Sequence, residues 1–166
     1  REYNDTAKFK VFLDDADRTG TDLQNYIRRL AVMAKLYGAI YIVVNNEAQI
    51  GATVQDSLNK RALPYLVHVL PSEVTHWHFD ERGRMVEFGY KSSVKDAEDK
   101  TRTRYYTWSE TVWTVADENM QIIRQGENPL GRLPVVQYFG RSTDPMEVLP
   151  SPEFLSVAQT NLHVYQ

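Results

Sequence analysis

The chain has 166 residues, of which 42% are hydrophobic, and carries a net charge of −3 at neutral pH. This length suits a single domain over residues 1–166. The absence of cysteine excludes disulfides, thiolate zinc sites and cysteine nucleophiles, and the slight acidity disfavours tight binding to nucleic acid. No apolar run approaches the roughly 18 residues that span a bilayer, and residues 1–5 do not resemble a signal peptide. Because no initiator Met is present, we expect a fragment of a longer protein.

A short apolar segment and a calcium-like turn precede the first clear helix. Residues 15–20 match the first six positions of an EF-hand loop, but Tyr26 stands where the loop needs a bidentate Glu. We therefore predict a surface turn. A short helix or strand is expected from the apolar residues before it, which are Phe9, Val11, Phe12 and Leu13.

A helix and a buried strand follow. Thr21 and Gln24 form a capping box, which predicts a helix that ends at Tyr37 before Gly38. Residues 39–44 are apolar throughout, as in a central strand covered on both faces. Residues 47–63 are polar and predict a long loop, with a short helix at 53–60. The predicted buried stripe of the first helix is Leu23, Tyr26, Ile27, Leu30, Ala34 and Tyr37.

The middle of the chain predicts a β-hairpin. After a strand at 65–70 and a turn at 71–73, residues 74–79 and 84–91 alternate in polarity around the turn at 80–83. In the expected register, one face carries Trp77, Phe79, Val86, Phe88 and Tyr90. The opposite face carries His76, His78 and Asp80.

His76 and His78 are the strongest metal-like pattern, because alternate strand residues point to the same side and two imidazoles can share Zn²⁺. A third ligand is missing from the pattern, and neither His68 nor His163 belongs to a motif. We predict an exposed polar strand face, with Asp80 serving the turn. A metal-dependent hydrolase that uses His76 and His78 is kept as a minor alternative.

Three further strands, at 101–108, 111–116 and 120–124, predict an antiparallel meander after a charged loop at 92–100. Basic and aromatic residues alternate here, as they do in platforms for single-stranded nucleic acid. Aromatic residues at strand spacing are more often core residues, which is the interpretation we favour. The residues concerned are Arg102, Arg104, Tyr105, Tyr106, Trp108 and Trp113.

Gly126 and Gly131 have the spacing of a phosphate-binding loop, but Arg132 and Leu133 replace the required Lys and Ser/Thr. We predict instead a turn, followed by a strand at 135–139. A helix is expected after Ser151 as its cap and Pro152 at its first position. We expect its apolar face to pack on the body or against a neighbouring molecule, and finding this face exposed alone would count against the expectation. The residues of the face are Phe154, Leu155, Ala158, Leu162 and Tyr165.

Together the elements predict an α+β fold with a mixed or antiparallel β-sheet, a β-meander, an N-terminal amphipathic helix and a C-terminal helix. Signatures of hydrolases, zinc proteases and dinucleotide-binding proteins are absent from the sequence. We predict no catalytic, cofactor-binding or metal-binding residue, and no cofactor.

Several segments share their order and spacing with one known family. The Trp-rich meander passes through Asn-Pro-Leu-Gly-Arg-Leu-Pro-Val-Val at 128–136 and reaches Pro-Ser-Pro-Glu-Phe-Leu at 150–155. Upstream, Tyr37-Gly38 precedes the strand at 41–44, and Leu-Pro-Tyr-Leu at 63–66 leads to Trp77. Over most of residues 21–166 this order resembles the portal proteins of tailed bacteriophages, in the peripheral region called the wing.

The resemblance implies a structural, non-enzymatic subunit of a ring, usually of twelve copies, at one capsid vertex. Double-stranded DNA would pass through this ring during packaging and ejection without sequence-specific binding, and the tail would attach there. Implied partners are other copies of the chain, a terminase that hydrolyses ATP, the capsid and head–tail adaptor proteins. No membrane is implied; the location is the virion, and the host cytoplasm during assembly of a phage or prophage. The alternative is a β-rich phage or surface binding module without catalysis, which would expose a concave aromatic patch around Trp108 and Trp113.

Overall fold

The computed structural model describes residues 9–45, 64–95, 98–141 and 144–164. Within these ranges the chain has the predicted α+β fold, with eight strands in two antiparallel sheets. The predicted helix at 53–60 lies outside the described residues. None of the described helices combines the length and apolar character that crossing a bilayer requires.

The helices and strands follow one another along the chain in this order. They are α1 (residues 9–14), α2 (Leu23–Tyr37), β1 (Ala39–Asn45), β2 (Tyr65–Val69), a 3₁₀ turn (Pro71–Glu73), β3 (Val74–Phe79), β4 (Met85–Lys95), β5 (Thr101–Ser109), β6 (Val112–Ala116), β7 (Ile122–Glu127), β8 (Val135–Phe139) and α3 (Leu155–Val164).

Helix α2 begins one residue later than its capping pattern predicted. The Asp22 carboxylate accepts a hydrogen bond from the backbone N–H of Asn25 at 3.0 Å, so the Thr21 capping box is wrong. The buried stripe has a simple four-residue repeat of Tyr26, Leu30 and Ala34. Ile27 lies to one side of this stripe and Tyr37 is the last residue of the helix, and both are exposed.

The smaller sheet has the strand order β2-β1-β8, and β1 is antiparallel to both neighbours. Ile40 and Ile42 face α2 and belong to the same apolar cluster as Leu30. Tyr41 and Val43 face the other way and belong to a second cluster. The strand is therefore buried on both faces, as its continuous apolar run predicted.

The larger sheet is the predicted meander, with the order β3-β4-β5-β6-β7. Its inner face packs on the smaller sheet, where the rings of Tyr41 and Phe88 lie 4.9 Å apart. The molecule thus has three layers: α2, the three-stranded sheet and the five-stranded sheet. Two cores lie between them, and β1 contributes to both.

Two predicted strand boundaries are wrong because pairing overrides local polarity. Residues 92–95 form the end of β4 rather than a loop, since Ser92 to Lys95 pair with Arg104 to Thr101. Strand β7 covers Ile122–Glu127 rather than 120–124. In the hairpin, Trp77 pairs with Phe88, which fits the predicted shared face, but an irregularity after His78 pairs Phe79 with Met85.

The C-terminal segment is attached at the end of α2. The backbone N–H of Glu153 donates to the carbonyl oxygen of Lys35 at 3.1 Å, and the two side chains form an ion pair at 3.8 Å. Helix α3 begins at Leu155, so the predicted start at Ser151 and Pro152 is too early. All ten residues of α3 are exposed, so the expectation that its apolar face packs on the body is wrong for the described residues. Tyr165 lies outside the described residues.

Candidate functional site

The two histidines of β3 lie on the outer, exposed face of the larger sheet, as predicted. His76 Nε2 is 3.1 Å from Glu87 Oε1, and its Nδ1 is 3.2 Å from the hydroxyl of Thr75. His78 lies opposite Glu87 in the register. Across the described part of the chain, no group of three His, Asp or Glu side chains is placed to hold a metal ion. This face offers hydrogen-bonding groups but no assembled metal centre.

Asp80 serves the turn, as predicted. Its carboxylate accepts hydrogen bonds from the backbone N–H of Arg82 at 3.0 Å and of Arg84 at 2.8 Å, and from Arg84 Nε at 3.2 Å. The hydrogen bond from the Arg84 backbone is the largest influence holding the pKa of Asp80 below its ordinary value.

The calcium-like loop is also a turn. Asp17 Oδ1 accepts from the backbone N–H of Thr19 at 2.9 Å and from its hydroxyl at 2.7 Å, and Asp15 Oδ1 accepts from the N–H of Gly20 at 2.8 Å. Asp17 Oδ2 is 3.4 Å from Arg29 Nη2. Because these carboxylates bind the loop itself and an arginine, they do not converge on a cation position.

A polar cluster between α2 and β2 was missed at the level of sequence. The Tyr26 hydroxyl and His68 Nδ1 are 3.4 Å apart, and the Arg29 guanidinium lies 5.3 Å from the centroid of the Tyr26 ring. Burial raises the pKa of Tyr26 to about 12. Burial, followed by the positive charge of Arg29, lowers the pKa of His68. The contact joins residues 42 positions apart, so no local motif could have revealed it.

The basic and aromatic strands do not form a stacking platform. Trp108 is only 7% exposed, its ring centroid lies 6.0 Å from that of Trp113, and both belong to the inter-sheet core. Tyr106 stacks on buried Tyr90 with the ring centroids 4.9 Å apart. The predicted core role is confirmed, and the exposed concave patch expected of the binding-module alternative is not found around Trp108 and Trp113.

The Gly/Pro-rich segment at 126–134 is organised by Asn128. This side chain, 6% exposed, donates from Nδ2 to the carbonyl oxygens of Ser109 at 2.9 Å and Arg132 at 2.8 Å. Its Oδ1 accepts from the N–H of Leu130 at 3.2 Å. The segment leads into strand β8, whereas a phosphate-binding loop leads into a helix.

Helix α3 is the most conspicuous surface of the chain. It contains no Asp, Glu, Lys or Arg. At 100° per residue, Phe154 and the large apolar side chains of α3 fall within one half of the helix circumference, where Asn161 is the one polar residue. The exposed fraction of these side chains lies between 41% and 72%: Phe154, Leu155, Val157, Leu162 and Val164.

These features favour contact between proteins over chemistry on a small substrate. An uncharged apolar half-helix can be covered by another protein surface, whereas the polar groups of His76, Asp17 and Asn128 hold neighbouring strands and turns. In comparisons with known proteins, no protein-family model and no curated protein matches this chain.

Proposed function

We propose that the chain is a structural subunit of a phage or prophage portal ring, within the wing region. The ring, usually of twelve copies, stands at one capsid vertex, conducts double-stranded DNA and joins head to tail. The observation that carries this proposal is α3, an uncharged helix with an apolar half that the three-layer body leaves exposed.

The physical reason is the cost of leaving such a helix in water. Burying a large apolar side chain stabilises by roughly 1.5–3 kcal/mol, and α3 and its first turn carry five of them in the exposed state. A subunit in a closed ring has a neighbour on each side, which provides such a cover. An isolated monomer has none.

The body is consistent with the same role. Its two apolar cores join three layers through one shared strand, which makes a rigid wall. The net charge of −3 suits a wall past which DNA slides, because few cationic contacts give little affinity for the phosphate backbone. The proposed partners are a terminase, the capsid and head–tail adaptor proteins, in the virion and in the host cytoplasm during assembly.

Negative-stain electron microscopy of the intact protein tests the proposal. We expect closed rings with rotational symmetry, and a uniform population of monomers at micromolar concentration would overturn it. Leu162→Glu, which places a charge on the apolar half of α3, should abolish the rings while leaving the circular dichroism spectrum unchanged. Gln159→Glu, on the polar half of the same helix, is the matched control and should leave the rings intact.

A further inference from the structure

One edge of the smaller sheet is open. Strand β2 ends the order β2-β1-β8, so among the described strands only β1 pairs with it. The backbone N–H of Leu66 donates to the carbonyl oxygen of Ala16 at 2.8 Å, on the side away from β1. In an antiparallel pair the backbone groups of alternate residues point the same way, so the Leu66 carbonyl and both backbone groups of His68 also lie on this open side. Within the part of the chain that the structure describes, no backbone group bonds to His68 from there.

Strand β2 lacks the features that commonly protect an edge from pairing. Its five residues include no Lys, Asp, Glu or Pro, and its register with β1 runs without a bulge. The turn at 15–20 covers only the start of the strand, through the bond to Ala16 and through Arg18, whose guanidinium lies 4.1 Å from the centroid of the Tyr65 ring. An extended segment of chain can therefore add to the rest of this edge.

A polar cleft of about 370 Å³ lies beside this edge, on the face that α2 covers. Leu66 identifies the face, because it packs in the core with α2. Asp17 and Arg29 form an ion pair at 3.4 Å, and burial lowers the pKa of His68, so its imidazole is uncharged at neutral pH. A cleft whose charges balance suits an uncharged polar side chain better than a free ion. Its lining residues are Asp17, Thr19, Arg29, Leu66, Val67 and His68.

A second cleft, of about 160 Å³, lies beside the same edge on the face turned to the larger sheet. Val67 identifies this face, because it packs in the core between the two sheets. Three tyrosines line the cleft, and its volume is close to the roughly 150 Å³ of a cavity that binds benzene. One apolar or aromatic side chain therefore fits. The lining residues are Asn45, Tyr65, Val67, Tyr90, Ser92 and Tyr106.

We propose that β2 is a docking edge for an extended peptide segment of another protein, which adds to the smaller sheet as a fourth strand. Side chains of a strand alternate between the two faces of its sheet. Successive residues of the peptide therefore enter the two clefts, a polar side chain beside α2 and an apolar or aromatic one beside the tyrosines. Backbone hydrogen bonds to Leu66 and His68 provide affinity, and the clefts provide specificity. This contact goes beyond the proposed function, since it does not depend on ring formation.

A labelled peptide tests the docking edge on the full chain. The probe is a fluorescein-labelled, end-blocked hexapeptide in which Thr alternates with Phe, so that one side is polar and the other aromatic. We expect saturable binding by fluorescence anisotropy, and slower hydrogen exchange of the His68 amide when the peptide is bound. An analogue with N-methyl groups on two adjacent central residues loses a hydrogen-bond donor on each of its edges. It should bind at least about tenfold more weakly.

Two variants of strand β4 provide a matched pair. Ser92→Phe fills the tyrosine-lined cleft and should weaken peptide binding at least about tenfold. Ser93→Phe places the same ring on the opposite, exposed face of the strand and should bind the peptide normally. Circular dichroism checks that both variants fold. The N-methylated analogue tests the edge independently if Ser92→Phe disturbs the fold.

Absence of saturable binding up to millimolar peptide would overturn the inference. Equal binding of the N-methylated analogue would show that the backbone edge is not used, and equal binding to Ser92→Phe would show that the tyrosine-lined cleft is not. Protection of the His68 amide without peptide would show that this chain covers its own edge. If that protection rises with protein concentration, a second copy of the chain is the occupant. Either form of protection rejects a segment of another protein as the partner.

Discussion

At the scale of single residues, buried polar side chains determine how the loops are built. Asn128 bridges the end of β5 to the segment before β8 through hydrogen bonds to Ser109, Leu130 and Arg132. The glycine and proline residues of this segment predicted a turn, but they did not indicate that hydrogen bonds from an amide side chain stabilise it. The next two predictions concern buried polar residues of this kind.

Asn128→Ala should lower the free energy of unfolding by about 2–4 kcal/mol, because it removes the partner of two carbonyl groups at a buried position. Urea unfolding followed by tryptophan fluorescence measures the loss. Asn119→Ala is the control: this residue is exposed, and its replacement should change stability by less than about 0.5 kcal/mol. Equal effects of the two replacements would show that Asn128 has no special role.

His68 should make stability depend on pH. Because the pKa of His68 is lowered in the folded state, the unfolded chain takes up a proton first as the pH falls. The stabilisation is complete above pH 6.5, the ordinary value, and is lost as the pH falls from there towards the lower folded pKa. Arg29, Asp17 and Glu73 are the charged groups that act on this imidazole.

His68→Gln should therefore reduce the difference in unfolding free energy between pH 7.5 and pH 5.5. The lowered carboxyl pKa values of Asp17, Asp22 and Asp80 affect stability only at more acidic pH, since their ordinary value is 3.8. Urea titrations of both proteins at the two pH values give the comparison. The same pH dependence in the variant and in the unmodified protein would refute the role of His68.

At the scale of elements, the junction between α2 and β1 depends on Gly38. This residue has φ of +88°, and a Cβ there would collide with the carbonyl oxygen of Pro150. Its own carbonyl accepts a hydrogen bond from the N–H of Gly140 at 2.9 Å. The end of α2, the end of β8 and the segment before α3 thus meet at one glycine, which the sequence predicted only as a helix stop.

Gly38→Ala should cost more stability than Gly20→Ala, although both glycines have φ of +88°. At Gly20 no atom lies within 4 Å of the added Cβ, so we expect only the cost of the left-handed backbone, about 1–2 kcal/mol. At Gly38 the collision with Pro150 should add about 1–3 kcal/mol. Thermal or urea unfolding of the two variants measures the difference, and equal losses would contradict the close approach.

At the scale of the whole molecule, β1 couples the two cores. Ile40 packs with α2 on one side of the strand, and Tyr41 packs with the larger sheet on the other. All three tryptophans lie in the larger sheet, so their fluorescence reports the unfolding of that layer. The buried residues of α2 pack on the smaller sheet instead. We expect the layers to unfold in one cooperative step.

Leu30→Ala, in the helix layer, should therefore shift the fluorescence transition of the distant tryptophans by about 2–5 kcal/mol. Leu36→Ala is the matched control on the same helix, because Leu36 is exposed; measured on the monomer, it should cost less than about 0.5 kcal/mol. If Leu30→Ala leaves the midpoint of the fluorescence transition unchanged, the helix layer unfolds separately from the larger sheet.

The sequence by itself determined the features that depend on local periodicity and turn chemistry. The continuous apolar run of β1 indicated burial on both faces, and alternation along 101–116 indicated a meander with Trp108 in the core. Asp80 was assigned to its turn from the local sequence at 80–83, and its hydrogen bond to Arg84 is made within four residues. These are short-range properties, which is why they could be predicted.

Only the tertiary structure decided the features that depend on distant residues. Residues 92–95, predicted as loop, are strand because they pair with β5. The contact between Tyr26 and His68 joins residues 42 positions apart. The exposed face of α3 was also decided at this level: an amphipathic pattern specifies an apolar side but not the surface that covers it. Burial is a property of the packed molecule, so the sequence could predict the helix face and the structure alone could show that the body leaves it uncovered.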